Sequence, residues 1–295
     1  MKIKNKILLV VNPISGGLNK RTMLVTVKAE IKKRGLQLEL YETTGKKDKK
    51  KIKRMIEDFQ PDHILVVGGD GTIQLVAEVL DGHKISVGIL PAGSANGLAV
   101  NLKLPPKLQD QLKIALGDNI LEMDVLKING RTCLHIADLG INAELIKNYE
   151  HASIRGKLGY FLKSIPTLFH SNFPFNFEIE IDHMTVYKKG ILLAIANANK
   201  FGTGANVNPT GKMNDGKFEI LVFKKLNFIK IFKTLSENAK LGSDFVEIIS
   251  TTQAKIRCTT PVAFQIDGEY VGEVCEVEAQ ISPNKLLIAV PSPIE

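Results

Sequence analysis

Gly68-Gly69-Asp70-Gly71-Thr72 directly follows the apolar run Ile64-Leu65-Val66-Val67 and precedes a helix-patterned stretch from Ile73 to Leu80. A buried strand that breaks into a glycine turn and then a helix suits phosphate binding. Glycines let backbone N–H groups approach an anion closely, and the helix N-terminus adds free donors and a favourable dipole. Asp70 places a carboxylate beside that site, and Thr72 is expected to cap the helix or touch a phosphate oxygen.

Two further segments repeat the pattern. Asn12-Pro13-Ile14-Ser15-Gly16-Gly17 follows Ile7-Leu8-Leu9-Val10-Val11, and Pro91-Ala92-Gly93-Ser94-Ala95-Asn96-Gly97 follows Val87-Gly88-Ile89-Leu90. In an open parallel sheet the carboxyl ends of the strands share one edge, where ligands bind. Three anion-friendly loops on that edge point to a polyphosphate, whereas any one of them alone would read as a tight βα turn.

Together the three segments resemble the catalytic domain of the diacylglycerol kinases, shared by bacterial lipid kinases, sphingosine kinases and ceramide kinases. The resemblance covers essentially the whole chain. It implies that ATP binds at Asn12, Pro13, Ser15, Gly16, Gly68, Gly69, Asp70, Gly71, Thr72, Gly93, Ser94 and Asn96. Thr43, five residues before Asp48, is similar to the family's nucleotide-contacting threonine, although Lys49 stands where many members carry a small residue. Asp70 is a candidate base in the sphingosine-kinase branch and a nucleotide and metal residue in the bacterial branch, so both roles stay open. The third loop departs from the common bacterial pattern, with Ser94 and Gly97 where Thr and Asp are usual.

Periodicity divides the chain. Up to about residue 125 strand and helix alternate, with helices over Lys20–Arg34 and Lys49–Asp58, which implies an α/β domain with a doubly wound parallel sheet. Beyond it strand-like runs follow one another, among them Thr132–Asp138, Thr252–Arg257, Val262–Ile266 and Cys275–Ile281, as expected of a β-rich sandwich domain over 126–284. The resemblance implies that residues 285–295 return to the first domain. Helical interruptions near Lys157–Phe169 and Leu226–Ala239 are expected to shelter an acyl chain.

In the second domain Asp267-Gly268-Glu269 reads alone as a hairpin turn. The resemblance gives the element a catalytic role, with Glu269 as the first choice of base and Asp267 as the second. Asn214-Asp215-Gly216 also reads as a turn. Here the resemblance implies a magnesium network of Asp215, the main-chain oxygens of Lys212 and Lys217, and Asp124. Magnesium takes oxygen ligands, so lysine side chains are excluded.

The bulk numbers fit a protein of two globular domains: 295 residues, 44% apolar and 24% charged. The apolar runs are strand-sized, too short to span a membrane, and Ile7–Val11 is too short for a signal peptide, so a cytoplasmic protein is expected. Three scattered cysteines form no metal pattern or disulfide framework and are expected to be reduced and at least partly buried. The six histidines show no ligand spacing, and none is assigned chemistry. Net charge is +8, and its densest cluster runs from Lys46 to Arg54. With no interleaved aromatic residues it is not a stacking platform for nucleic acid, but it suits anionic lipid headgroups.

The expected function is therefore that of an ATP- and Mg²⁺-dependent lipid kinase acting on diacylglycerol or a sphingoid base. Its partner is a lipid at an anionic membrane surface, approached peripherally; nucleic acid is not expected, and a homodimer is one arrangement considered. Two alternatives are kept: a soluble-acceptor kinase of the NAD kinase type, and a non-catalytic nucleotide-binding regulator.

Overall fold

The computed structural model describes residues 5–17, 20–150, 174–182, 184–201, 205–206, 208, 211–225 and 244–292. The chain divides into two compact units, Met1–Met123 with Pro283–Glu295, and Asp124–Ser282. The stretches Lys157–Phe169 and Leu226–Ala239, expected to be helical, lie outside the described residues.

The first unit contains β1 (Lys6–Val11), α1 (Arg21–Lys33), β2 (Gln37–Glu42), α2 (Asp48–Phe59), β3 (His63–Gly68), α3 (Asp70–Val79), β4 (Ser86–Pro91), α4 (Gly97–Asn101), α5 (Leu108–Ala115) and β5 (Ile120–Met123). The last strand of the chain, β18 (Leu286–Ala289), joins the same sheet, whose order is β2-β1-β3-β4-β18-β5. Pairing is parallel from β2 to β18, and β5 is antiparallel at the edge. β1 and β3 are near-continuous Ile, Leu and Val because helices can cover both faces of a parallel sheet. Ile7–Val11 and Ile64–Val67 are fully buried. Against them α1 packs Val27 and Ile31, four residues apart on one face. It ends in a Schellman motif: Gly35, at φ +68°, donates its N–H to Lys32 O, and Leu36 donates to Ile31 O. His63 is fully buried, with Nδ1 2.6 Å from Ser86 Oγ and Nε2 2.7 Å from Ala115 O. A carbonyl only accepts, so Nε2 carries the proton, and this histidine is a structural clamp.

From β1 the chain turns one way to β2 and then crosses to β3 on the other side. The carboxyl ends of β1 and β3 therefore flank a topological switch point, where α/β sheets bind ligands.

The second unit contains β6 (Leu126–Ile128), β7 (Arg131–Cys133), β8 (Ile136–Gly140), α6 (Ile141–Glu150), β9 (Phe175–Ile181), β10 (Met184–Gly190), β11 (Leu192–Ala196), β12 (Lys200–Phe201), β13 (Ala205–Asn206), β14 (Phe218–Phe223), β15 (Val246–Thr251), β16 (Gln253–Ile266) and β17 (Glu269–Ile281). The main sheet is antiparallel, in the order β15-β14-β11-β8-β16-β17-β6-β7, with β9 and β10 attached through β16. The long β16 pairs with β9 along Lys255–Cys258 and with β8 along Phe264–Ile266. Inward residues such as Phe177, Ile195, Phe218, Phe264 and Val277 share one apolar core.

The expected strand Cys275–Ile281 begins earlier, at Glu269, and two further expectations about strand boundaries change. Thr132–Asp138 is not one strand: β7 ends at Cys133 and β8 begins at Ile136. Conversely, Thr252–Arg257 and Val262–Ile266 belong to one strand, β16, whose register shifts twice against β17. The polar Thr259-Thr260-Pro261 between them reads as a break, yet it is accommodated as an irregularity within the ladder.

Leu9 lies on β1 between Leu40 of β2 and Leu65 of β3, with no exposure. Leu9→Ala is expected to destabilise the protein by about 2–5 kcal/mol, measured as a lower urea midpoint.

Candidate active site

The carboxyl ends of β2, β1, β3 and β4 place Thr43, Asn12, Gly69 and Ala92 along one sheet edge. Neighbouring strands are linked there by main-chain bonds: Thr43 N–H to Val11 O at 2.8 Å, Asn12 N–H to Val67 O at 2.9 Å, and Ala92 N–H to Gly68 O at 2.8 Å. Side chains extend the links. Asn12 Nδ2 donates to Thr72 Oγ1 at 3.3 Å, and the Ser15 hydroxyl lies 3.0 Å from Ala92 O. The second and third loops touch backbone to backbone. A Cβ on Gly93 would stand 2.5 Å from Gly69 Cα, so glycine is required by the close approach itself. Asn96, at φ +55°, folds its amide back onto Gly93, accepting from Gly93 N–H and donating to Gly93 O. Pro13 and Ser94 are exposed and Gly16 is half-buried.

Helix α3 begins at Asp70, three residues earlier than its apolar pattern suggests. Gly71 and Thr72 are therefore helical, and Gly69 is the N-cap. Thr72 does not cap the helix; it is buried beneath the first loop with its hydroxyl toward Asn12. The Asp70 carboxylate accepts Gly97 N–H at 2.8 Å on one oxygen and Leu98 N–H at 3.0 Å on the other. Its immediate partner is thus the start of α4.

Asp48 organises the loop that follows Thr43. It accepts from the Tyr41 hydroxyl at 2.6 Å, Thr44 N–H and Oγ1 at 3.0 Å each, and Gly45 N–H at 2.7 Å. Burial alone would raise its pKa, but these donors win and hold the carboxyl below its ordinary value. Burial and the Asp48 charge push the Tyr41 phenol up to about 12.

In the second unit Asp267 and Gly268 adopt φ +50° and +88° between Ile266 and Glu269, a two-residue hairpin turn. The turn is also an anchor. Leu134 N–H donates to Asp267 Oδ2 at 2.8 Å, and His135 and Ile136 N–H donate to Oδ1 at 2.9 and 3.0 Å. These amides span the gap between β7 and β8. Burial pushes the Asp267 carboxyl up, and the N–H donors oppose that rise. Glu269 opens β17 with its side chain exposed.

Asp124 is fully buried; its N–H donates to Met213 O at 2.7 Å and its Oδ2 accepts Gly216 N–H at 2.8 Å. The exposed Asp215 accepts Lys217 N–H at 3.1 Å. The 212–217 loop therefore wraps around Asp124 and brings both predicted carboxylates to one neighbourhood. Among the described residues no three acidic, histidine or cysteine side chains cluster as a metal site.

Sequence reasoning missed three polar residues near these elements. Lys20 is buried and donates its ammonium to Ser15 O beneath the first loop, and burial lowers its pKa. Asp138 and Gln265 are buried on paired strands of the second unit. Burial pushes the Asp138 carboxyl up to about 7 against the pull of the Gln265 and Asn142 amides. The available signal was a lone carboxylate inside the otherwise apolar Ile136–Leu139. Of the thiols, Cys133 and Cys258 are buried and Cys275 is exposed.

Residues 6–128 match the family described as diacylglycerol kinase catalytic domain, and residues 136–290 match the YegS C-terminal NAD kinase beta sandwich-like domain. Fold and matches define a two-domain protein of the lipid kinase class. The second match spans more than half of the chain, which therefore belongs to the family with the YegS C-terminal NAD kinase beta sandwich-like domain; the diacylglycerol kinase catalytic domain matched ahead of it implies the use of ATP. It is 26% identical over 279 residues to the diacylglycerol kinase of Bacillus subtilis strain 168, covering 90% of this chain and 89% of that protein. It is 25% identical over 267 residues to the probable lipid kinase YegS of Salmonella newport strain SL254, covering 87% of each. A putative diacylglycerol kinase from Bacillus anthracis strain Sterne shares the fold at TM-score 0.80, with 20% identity over 99% of both chains. Among the described residues no helix is long and apolar enough to cross a membrane.

The Asp48 cluster has a pH signature. A depressed folded-state pKa contributes stability above the unfolded value, lost as pH falls through the folded value. Asp48→Asn is expected to cost about 1–3 kcal/mol at pH 7 by urea unfolding. The gap from wild type should close as the pH falls below the ordinary carboxyl value of 3.8.

Proposed function

We propose that the protein is an ATP- and Mg²⁺-dependent lipid kinase that phosphorylates a hydroxyl of diacylglycerol or a sphingoid base. The observation that carries this reading is the sheet edge at the β1/β3 switch point. There three polar loops meet, and the Gly69 and Gly93 backbones touch. Side chains at those glycines would run into the backbone of the opposite loop, so the meeting of the loops at this edge depends on glycine. ATP fits this edge: Asn12, Pro13, Ser15, Gly16, Gly68–Thr72, Gly93, Ser94 and Asn96 would hold phosphates, and Thr43 the nucleoside side.

The donor set in the 212–217 loop suits magnesium. Asp215 offers an exposed carboxylate, and Lys212 and Lys217 offer main-chain oxygens, hard ligands that leave room for water. Asp124 stands behind them, fastened to Gly216. When bound, the ion supplies positive charge.

Phosphoryl transfer is mainly positioning and charge stabilisation. The acceptor oxygen bonds to the γ-phosphorus while the bond to the bridging oxygen breaks and ADP leaves. Glu269 takes the acceptor proton as the new bond forms, because an alkyl hydroxyl does not ionise beforehand. Asp267, both of whose oxygens receive backbone N–H groups, holds the turn rather than the proton. Asp70 ties the second and third loops together beside the phosphates.

A membrane-facing role falls to the start of α2. Lys46, Lys47, Lys50, Lys51, Lys53 and Arg54 are exposed there, whereas Ile52 and Ile56 are buried. Basic residues near an anionic bilayer contribute about 1 kcal/mol each, which favours peripheral attachment.

The test is incubation with radiolabelled ATP, magnesium and mixed micelles of diacylglycerol, sphingosine or ceramide. We expect a labelled lipid, reduced at least about 100-fold by Glu269→Ala. Label on NAD and on no lipid would sink the reading.

A further inference from the structure

Asp138 on β8 lies opposite Gln265 on β16, and both side chains are buried. Asp138 Oδ2 accepts two amide donors, Gln265 Nε2 and Asn142 Nδ2, each at 2.6 Å. At its other end Gln265 Oε1 accepts the Gly268 N–H at 2.7 Å. Gly268 directly precedes Glu269. A side-chain amide can present either end to a neighbour, but a carboxylate accepts and a backbone N–H donates. The carboxylate therefore claims the NH₂ end of Gln265 and leaves the oxygen for Gly268.

This fastening is separate from the one at Asp267, which reaches the 134–136 backbone. Both central residues of the turn are thus tied down, one through its carboxylate and one through its N–H. A buried carboxylate in an apolar strand is costly, and an apolar residue would fill the space without that cost. The Asp138 carboxyl sits near neutrality at about 7. The Ala143 N–H also faces this carboxyl and, with the two side-chain amides, opposes the rise that burial causes.

We propose that Asp138 is a positioning residue. By fixing which end of the Gln265 amide meets Gly268, it sets the turn that carries Glu269. The inference rests on Glu269 as the base and extends that reading to two buried residues beside its turn.

The test compares four variants in the full chain. Asp138→Ala removes the acceptor. Asp138→Asn keeps an oxygen for Gln265. Gln265→Glu sets an acceptor against an acceptor. Asp138→Asn combined with Gln265→Glu restores the bond with donor and acceptor exchanged. Two readouts are taken: kcat and KM for ATP with the best lipid acceptor, and hydrogen exchange of the Gly268 amide by NMR. Asp138→Ala and Gln265→Glu are expected to lower kcat about 10- to 100-fold with KM for ATP unchanged, and to speed Gly268 exchange. Asp138→Asn should lose less, and the double variant should recover both readouts relative to Gln265→Glu. A double variant no better than Gln265→Glu, or Gly268 exchange unmoved by Asp138→Ala, would overturn the relay. Should wild type label no lipid, the kinase reading fails by itself, and Gly268 exchange across the four variants still decides the relay.

Discussion

The Asp70 carboxylate, with one oxygen on the Gly97 N–H and the other on the Leu98 N–H, bolts the first turn of α3 to the first turn of α4. Hydrogen bonds to a charged group contribute about 1.5–3 kcal/mol each, more than neutral ones. This link makes the second and third loops one body, and Asn12 and Ser15 fasten the first loop to it. A polar edge built from sequence-distant loops would otherwise scatter, because loops carry little packing of their own. The links fix the three loops relative to one another, so that order at this edge does not have to be created by a ligand.

The second unit uses the same device. Asp267 gathers the amides of residues 134–136, and Asp124 receives the Gly216 amide. In each case a carboxylate satisfies backbone donors where the chain leaves regular structure, as a buried chain break requires. Such groups look catalytic in sequence because they are acidic and sit in glycine turns. Their surroundings differ: Asp70 and Asp267 hold main chain on both oxygens, whereas the Glu269 side chain is exposed at the head of its strand.

The α/β plan was readable because buried parallel strands are continuous apolar runs and the glycine turns fall at their ends. The β-rich plan was readable from period-two runs and from the Asn129-Gly130 and Asp267-Gly268 pairs, both of which form the tight turns their composition demands. Local pattern failed where tertiary contacts decide. The start of α3 lies inside the glycine motif because Asp70 is held by α4, a partner in the next loop. The break at residues 134–135 is created by Asp267, more than a hundred positions away. The Asp138–Gln265 pair left only a single misplaced carboxylate as its trace, since strand register is invisible to composition.

Chain order adds a temporal constraint. β18, from the end of the sequence, lies between β4 and β5, and β5 has no other neighbour in that sheet. During synthesis the α/β half emerges first, but β4 lacks its outer partner until the entire β-rich half has been made. At ordinary ribosomal speed that delay is about 10–30 seconds. For that interval the nascent chain carries an unpaired sheet edge, the kind of surface that invites aggregation. The two halves therefore cannot mature independently: the first unit's sheet is completed last, and its completion reports that translation has passed through the β-rich half.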